Sequence, residues 1–104
     1  MNKFFNFLGL TKRAGSLIEG YSKCDEQRNR IKIYLFILSK DASDSTVRKF
    51  TNHCTIKGIK LIDGFTKEEL GTAIGREEVK ILAITDENMA KKLYNLYKEE
   101  KEKI

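Results

Sequence analysis

The sequence predicts a three-layer α/β/α domain, on three observations. Stretches with helical spacing alternate with short apolar stretches along the whole chain, the pattern of an α/β domain. Residues Ile31–Leu38 are apolar in both registers, with Ile31, Ile33, Leu35 and Ile37 facing one way and Tyr34, Phe36 and Leu38 the other. A strand with two apolar faces is central and needs helices on both sides. Val79–Thr85 has the same character through Val79, Ile81, Leu82, Ala83 and Ile84. The 104 residues are about one domain, and the absence of proline and of any Ser/Gly-rich tract leaves no linker inside 1–104.

Each element has its own signals. Lys3–Ala14 reads as a helix because Phe4, Phe7 and Leu8 form one apolar stripe. Lys12 and Arg13 fall in its last turn, where cations complement the helix dipole, and Gly15 supplies a left-handed cap. Leu17 and Ile18 start a short strand that ends near Gly20. Tyr21–Arg30 is expected to be helical, though only Tyr21 and Cys24 are apolar there. After the Ile31–Leu38 strand, Ser43 caps a third helix with Val47, Phe50 and Cys54 as its buried stripe, and Gly58 stops it. Ile59–Ile62 is a short strand. Thr66 and Glu69 make a capping box, with Phe65 and Leu70 placed as a hydrophobic staple. Gly71 and Ala73 permit close packing, and Gly75 ends this helix. Asp86 caps the last helix, whose stripe is Ala90, Leu93, Tyr94 and Tyr97. The run Lys98–Lys103 carries Glu99, Glu100 and Glu102 and reads as a solvated helix end.

Composition narrows the function. Lys and Arg number 20 against 15 Asp and Glu, a net charge of +5. Residues 1–70 hold that surplus, because residues 71–104 have seven basic and seven acidic side chains. A basic excess favours a polyanion, since each Lys–phosphate contact releases counterions. Two cysteines are too few for a disulfide scaffold, and the apolar run at Phe4–Leu8 is too short for a leader. No stretch approaches a membrane span, so the cytoplasm is the expected compartment. His53 and Cys54 are adjacent and point apart on a helix, with Cys54 expected buried and His53 exposed. No zinc spacing, P-loop or placed carboxylate pair occurs. No enzyme, metal or cofactor is therefore expected.

What remains is basic and local. Lys12 and Arg13 close the first helix beside a glycine turn, and Gly20, Tyr21, Ser22 and Lys23 form a strand-to-helix turn. Such a turn presents backbone amides, a hydroxyl and an ammonium to phosphate or base edges.

Four strings carry a resemblance: Gly9-Leu-Thr-Lys-Arg-Ala-Gly15, Lys40-Asp-Ala-Ser43, Lys67-Glu-Glu-Leu-Gly-Thr-Ala-Ile-Gly75 and Ala83-Ile-Thr-Asp86. In this order they resemble the kink-turn-binding ribosomal-protein family (large-subunit types L-seven-Ae and L-thirty-e), nearest its small bacterial YlxQ-like branch. The string Leu70–Gly75 is the most specific. The resemblance implies a four-stranded mixed sheet within the three layers. It also implies a non-catalytic RNA-binding rim made by the turn after Gly20 and the loop after Gly75, where Arg76 and Val79 stand. Ribosomal RNA or a kink-turn-like element is the implied ligand, whose bulges expose bases. A monomer, with a ribosome-associated protein as a further partner, is expected. Where the family reads Gly-x-Asn-Glu-x-x-Lys, this chain has Gly20 followed by Ser22, Lys23 and Glu26. Lys23 cannot accept from an amino group as a carboxylate does, so binding through Lys12, Arg13, Lys23 and Arg76 is expected to be more electrostatic. The alternative is a protein-interaction or assembly module on the same fold.

Overall fold

The caps and turn glycines set the frame. In the computed structural model, which describes residues 2–102, helix α1 spans Asn2–Arg13. It ends on Gly15 at φ 76°, where Gly15 N–H donates to Lys12 O (2.9 Å) and Ser16 N–H to Thr11 O (3.1 Å). These two bonds satisfy the last helix carbonyls. Strand β1 is Leu17–Glu19 and helix α2 is Tyr21–Gln27. Strand β2 is Leu35–Ser39, helix α3 is Asp44–Lys57 and strand β3 is Lys60–Phe65. Ser43 Oγ accepts from Thr46 N–H at 3.2 Å, and Gly58 closes α3 at φ 70°. Helix α4 is Lys67–Ala73, strand β4 is Ile81–Ile84 and helix α5 is Glu87–Glu102. The capping box before α4 is complete: Glu69 N–H donates to Thr66 Oγ1 (3.0 Å) and Thr66 N–H to Glu69 Oε1 (2.8 Å). Asp86 Oδ1 accepts from Met89 N–H at 2.8 Å and so starts α5.

The strands form one sheet in the order β1-β4-β2-β3. The β1–β4 and β4–β2 pairs are antiparallel and the β2–β3 pair is parallel. Phe4, Leu8, Leu70 and Leu93 pack on Leu35, Ile37, Leu82 and Ile84, which places α1, α4 and α5 on one face. Cys24, Phe50 and Cys54 pack on Phe36, Leu38, Ile81 and Ala83, which places α2 and α3 on the other. The molecule is therefore an α/β/α sandwich on a four-stranded mixed sheet.

Several expected boundaries move for local reasons. The first central strand begins at Leu35, not Ile31. Ile31 is exposed, and Ile33 lies in the same core layer as Phe36 and Leu38 rather than with Leu35. The strict alternation read across 31–38 thus breaks at Tyr34, which packs in the same layer as Leu35, and Arg30 and Ile31 N–H groups turn back to Gln27 O. Those turns also end α2 three residues before Arg30. The last strand starts at Ile81, since Val79 N–H donates to Lys67 O (3.0 Å) and ties that residue to α4 instead. The short strand expected at 59–62 runs on to Phe65, whose carbonyl accepts from Lys40 N–H at 2.7 Å. Phe7 is only half-buried, and Val47 is exposed and no part of the α3 stripe. His53 takes that place, at 5% exposure. Arg28 Nη1 lies 3.1 Å from His53 Nδ1, and the Phe36 ring sits edge-on at 5.8 Å. Burial, then the Arg28 charge, hold this imidazole below its ordinary pKa. In the C-terminal charged run Lys98, Glu99, Lys101 and Glu102 are exposed, while Lys103 lies outside the described residues.

Candidate functional site

Three chain segments meet at one end of the sheet. Gly20 adopts φ 92°, ψ 162° between β1 and α2, a region essentially closed to residues with a Cβ. Its N–H donates to Ile81 O (2.9 Å), which fixes the turn on β4. The preceding residue, Glu19, is the hub. Lys12 Nζ lies 3.4 Å from its Oε2, and Arg76 Nη1 lies 3.5 Å from its Oε1. Lys12 also donates to Ile74 O at 2.8 Å. One carboxylate thus gathers the end of α1, the β1–α2 turn and the α4–β4 loop. The Arg76 guanidinium comes within 3.9 Å of where a Cβ on Gly20 would stand.

The loop carrying Arg76 is held by a second glycine contact. A Cβ on Gly71 would lie 2.6 Å from Glu78 Cα and 2.9 Å from Arg76 O. Arg76 N–H donates to Gly71 O at 2.9 Å, and Lys67 pairs with Glu78 at 3.1 Å. Gly75, at φ 79°, makes the bend between α4 and this loop.

Beside the turn lies an open groove of about 880 Å³ bordered by Gly20, Tyr21, Ser22, Lys23, Glu26 and Arg76. Lys23 is exposed and makes no ion pair among the described residues. Tyr21 is exposed but anchored: its hydroxyl accepts from Lys49 Nζ at 2.7 Å, and its ring meets Phe50 edge-on at 5.9 Å. Lys49 also holds Asp25 at 3.2 Å, and Arg28 holds the same carboxylate at 2.9 Å. Arg28 first, then Lys49, lower the Asp25 pKa, while Tyr21 and then Asp25 raise that of Lys49.

The structure therefore brings together Lys12, Gly20, Tyr21, Ser22, Lys23, Gly75 and Arg76. Two expected members stand elsewhere. Arg13 lines a separate groove between α1 and α4, together with Leu10 and Glu69. Val79 is 4% exposed and belongs to the core beneath α4, so its side chain does not reach the rim surface. Glu19 and Lys49 were missed. Glu19 reads as an ordinary strand end until Arg76 crosses to it, and nothing near Lys49 in sequence points to Tyr21.

Burial pushes the Cys24 thiol up to about 12 and Cys54 up to about 11, so neither is a ready thiolate. Among the described residues no group of three or more His, Cys, Asp or Glu could hold a metal ion. No helix among them is long and apolar enough to cross a membrane.

Comparison with known proteins gives a consistent set. The family model described as ribosomal protein L7Ae/L30e/S12e/Gadd45 matches residues 2–94. A Bacillus subtilis (strain 168) protein named RNA-binding protein YlxQ is 30% identical over 94 residues, which cover 90% of this chain and 94% of that protein. Its namesake from Enterococcus faecium is 29% identical, covering 90% of each chain. A solved structure of a protein with unknown function from Bacillus halodurans C superposes with a TM-score of 0.85 at 30% identity, covering 90% of this chain and 95% of its own. The Giardia lamblia 15.5kD RNA binding protein has the same fold, with a TM-score of 0.74 at 21% identity over 86% of this chain and 79% of its own.

Proposed function

Since this chain belongs to the ribosomal protein L7Ae/L30e/S12e/Gadd45 family, whose members bind structured RNA, we propose that it binds structured RNA without catalysis through the rim around Gly20. Ribosomal RNA or a kink-turn-like element is the ligand class. The observation that carries the reading is the convergence on Glu19: Lys12 and Arg76 are drawn to the one turn whose glycine conformation leaves backbone and groove open. Both YlxQ proteins, at 30% and 29% identity, bear a name that states RNA binding.

The chemistry of this rim is its own. Ser22 can donate and accept, Lys23 offers only charge, and Glu26 stands where the family pattern has a lysine. Charge at Lys12, Lys23 and Arg76 then carries more of the affinity, and base discrimination rests on Ser22, Tyr21 and the groove they border. Glu26 lies on the same groove and opposes phosphate there.

Lys23→Glu tests the assignment, because this side chain is exposed and makes no ion pair among the described residues. The fold should be unchanged. RNA affinity should fall, and the slope of log K against log salt should flatten by about one. A variant with wild-type affinity and slope would remove Lys23, and the groove it borders, from the RNA contact.

A further inference from the structure

The opposite end of the sheet holds a second basic surface of a different kind. Leu35 pairs there with Ile84 and Lys60, whereas the Gly20 rim lies where β4 begins at Ile81. Two adjoining grooves of about 260 and 420 Å³ share Tyr34, Gly58 and Glu87. Five lysines border them: Lys32, Lys57, Lys60, Lys91 and Lys98. The left-handed Gly58 turn sets Lys57 and Lys60 on either side of it, and α5 presents Lys91, Tyr94 and Lys98 at i, i+3 and i+7 on one face.

These ammonium groups are not neutralised. None of the five makes an ion pair among the described residues, whereas Lys12, Lys49, Lys67, Arg28 and Arg76 all do. Three of the five sit on rings instead. Lys60 Nζ is 4.5 Å and Lys98 Nζ 5.4 Å from the Tyr94 centroid, and Lys32 Nζ is 5.5 Å from that of Tyr34. A ring face steadies an ammonium without cancelling its charge. The one carboxylate bordering both grooves is Glu87.

We infer that this Tyr34–Tyr94 surface is a second RNA contact, which grips the phosphodiester backbone of an RNA already seated on the Gly20 rim. Ring-parked cations lining a continuous groove fit a repeating anion, since each phosphate engaged releases counterions. An RNA must traverse the 27–31 Å body of the protein to touch both ends, so only ligands with arms of that reach gain from it. The inference rests on the RNA-binding reading of the rim.

The test uses the full chain and two RNAs with the same kink-turn, one trimmed to short stems and one with both arms extended beyond about 40 Å, roughly the reach of a dozen nucleotides. Wild type should bind the extended RNA at least about tenfold more tightly, with a salt slope steeper by about two. Lys60→Glu/Lys98→Glu should erase that gain and leave the short RNA unaffected. Should the double variant melt early, Lys91→Glu, which breaks no ring contact, should lower the slope on the extended RNA alone by about one. Equal binding of both RNAs by wild type, or a gain that survives the substitutions, overturns the second contact and leaves the rim standing. Wild type that binds neither RNA overturns both. Extended-RNA binding that Lys23→Glu abolishes and Lys60→Glu/Lys98→Glu leaves unchanged would place every contact at the rim and overturn the second contact alone.

Discussion

Gly71→Ala should lower the stability of this protein by about 3 kcal/mol, at the upper end of the usual cost of overpacking. The added methyl would stand 2.6 Å from Glu78 Cα and 2.7 Å from Glu78 N, both backbone atoms that cannot rotate aside. Relief requires α4 to part from the 76–78 loop, which also breaks the bond from Arg76 N–H to Gly71 O. For a chain of this length the melting temperature should drop by more than about 10 °C. RNA affinity should fall with it, because the same loop delivers Arg76 to Glu19. Thermal denaturation followed by circular dichroism reads the first effect. A variant that melts like wild type would mean that the α4–loop contact is looser than 2.6 Å implies.

Gly20→Ala acts at the other support of the rim. At φ 92°, ψ 162° an alanine carries strain of about 1–3 kcal/mol. The chain can escape it only by turning differently between β1 and α2. That would weaken the bond from Gly20 N–H to Ile81 O and shift Ser22 and Lys23 away from Arg76. Stability should fall by that amount, and RNA affinity by about tenfold, the equivalent of roughly 1.4 kcal/mol of lost binding. Comparing melting curves with binding isotherms below the melting range separates the two. Unchanged affinity in a folded Gly20→Ala variant would show that the turn's conformation does not matter to the ligand.

The fold was legible because its signals are local. Ser43, Thr66 and Asp86 each bond the amide three residues on, and Gly15 and Gly58 close their helices with positive φ. These are short-range contacts that a few adjacent residues determine. The misreadings have two different causes. Ile31 looked like a strand residue by its apolarity, but its amide is claimed by Gln27. Val47 sits at helical spacing from Phe50, yet His53 fills the layer because Arg28, 25 residues away, meets its ring. The first is a local turn that apolarity alone does not show, and the second is a tertiary contact.

The site was legible in part for the same reason. Gly20, Ser22, Lys23 and Arg76 were found as turn residues next to charge, and the fold does bring them to one groove. Arg13 was grouped with Lys12 because they are neighbours, but successive helix residues face different ways. Lys12 reaches Ile74 O and Glu19, and Arg13 lies along α1 towards α4. Val79 was placed in the RNA-binding loop by the resemblance, and the core beneath α4 claims it. Charge balance over 71–104 concealed the far surface altogether. Equal numbers of acids and bases along the chain say nothing of which face each takes, and Lys91 and Lys98 share theirs with Lys57 and Lys60 rather than with Glu99.

We propose that the rim around Gly20 recognises RNA shape as well as charge. A salt titration of binding to a kink-turn RNA, with a straight duplex of matched length as control, tests it most directly. Tighter binding to the kink-turn, steep in salt but still preferred at moderate salt, is the expected result, with Ser22 and Lys23 serving in place of the usual contacts. Equal and equally salt-dependent binding to both RNAs would contradict shape recognition and leave a general phosphate binder. No binding to either at low salt would contradict the RNA reading itself and favour a protein-interaction module on the same fold.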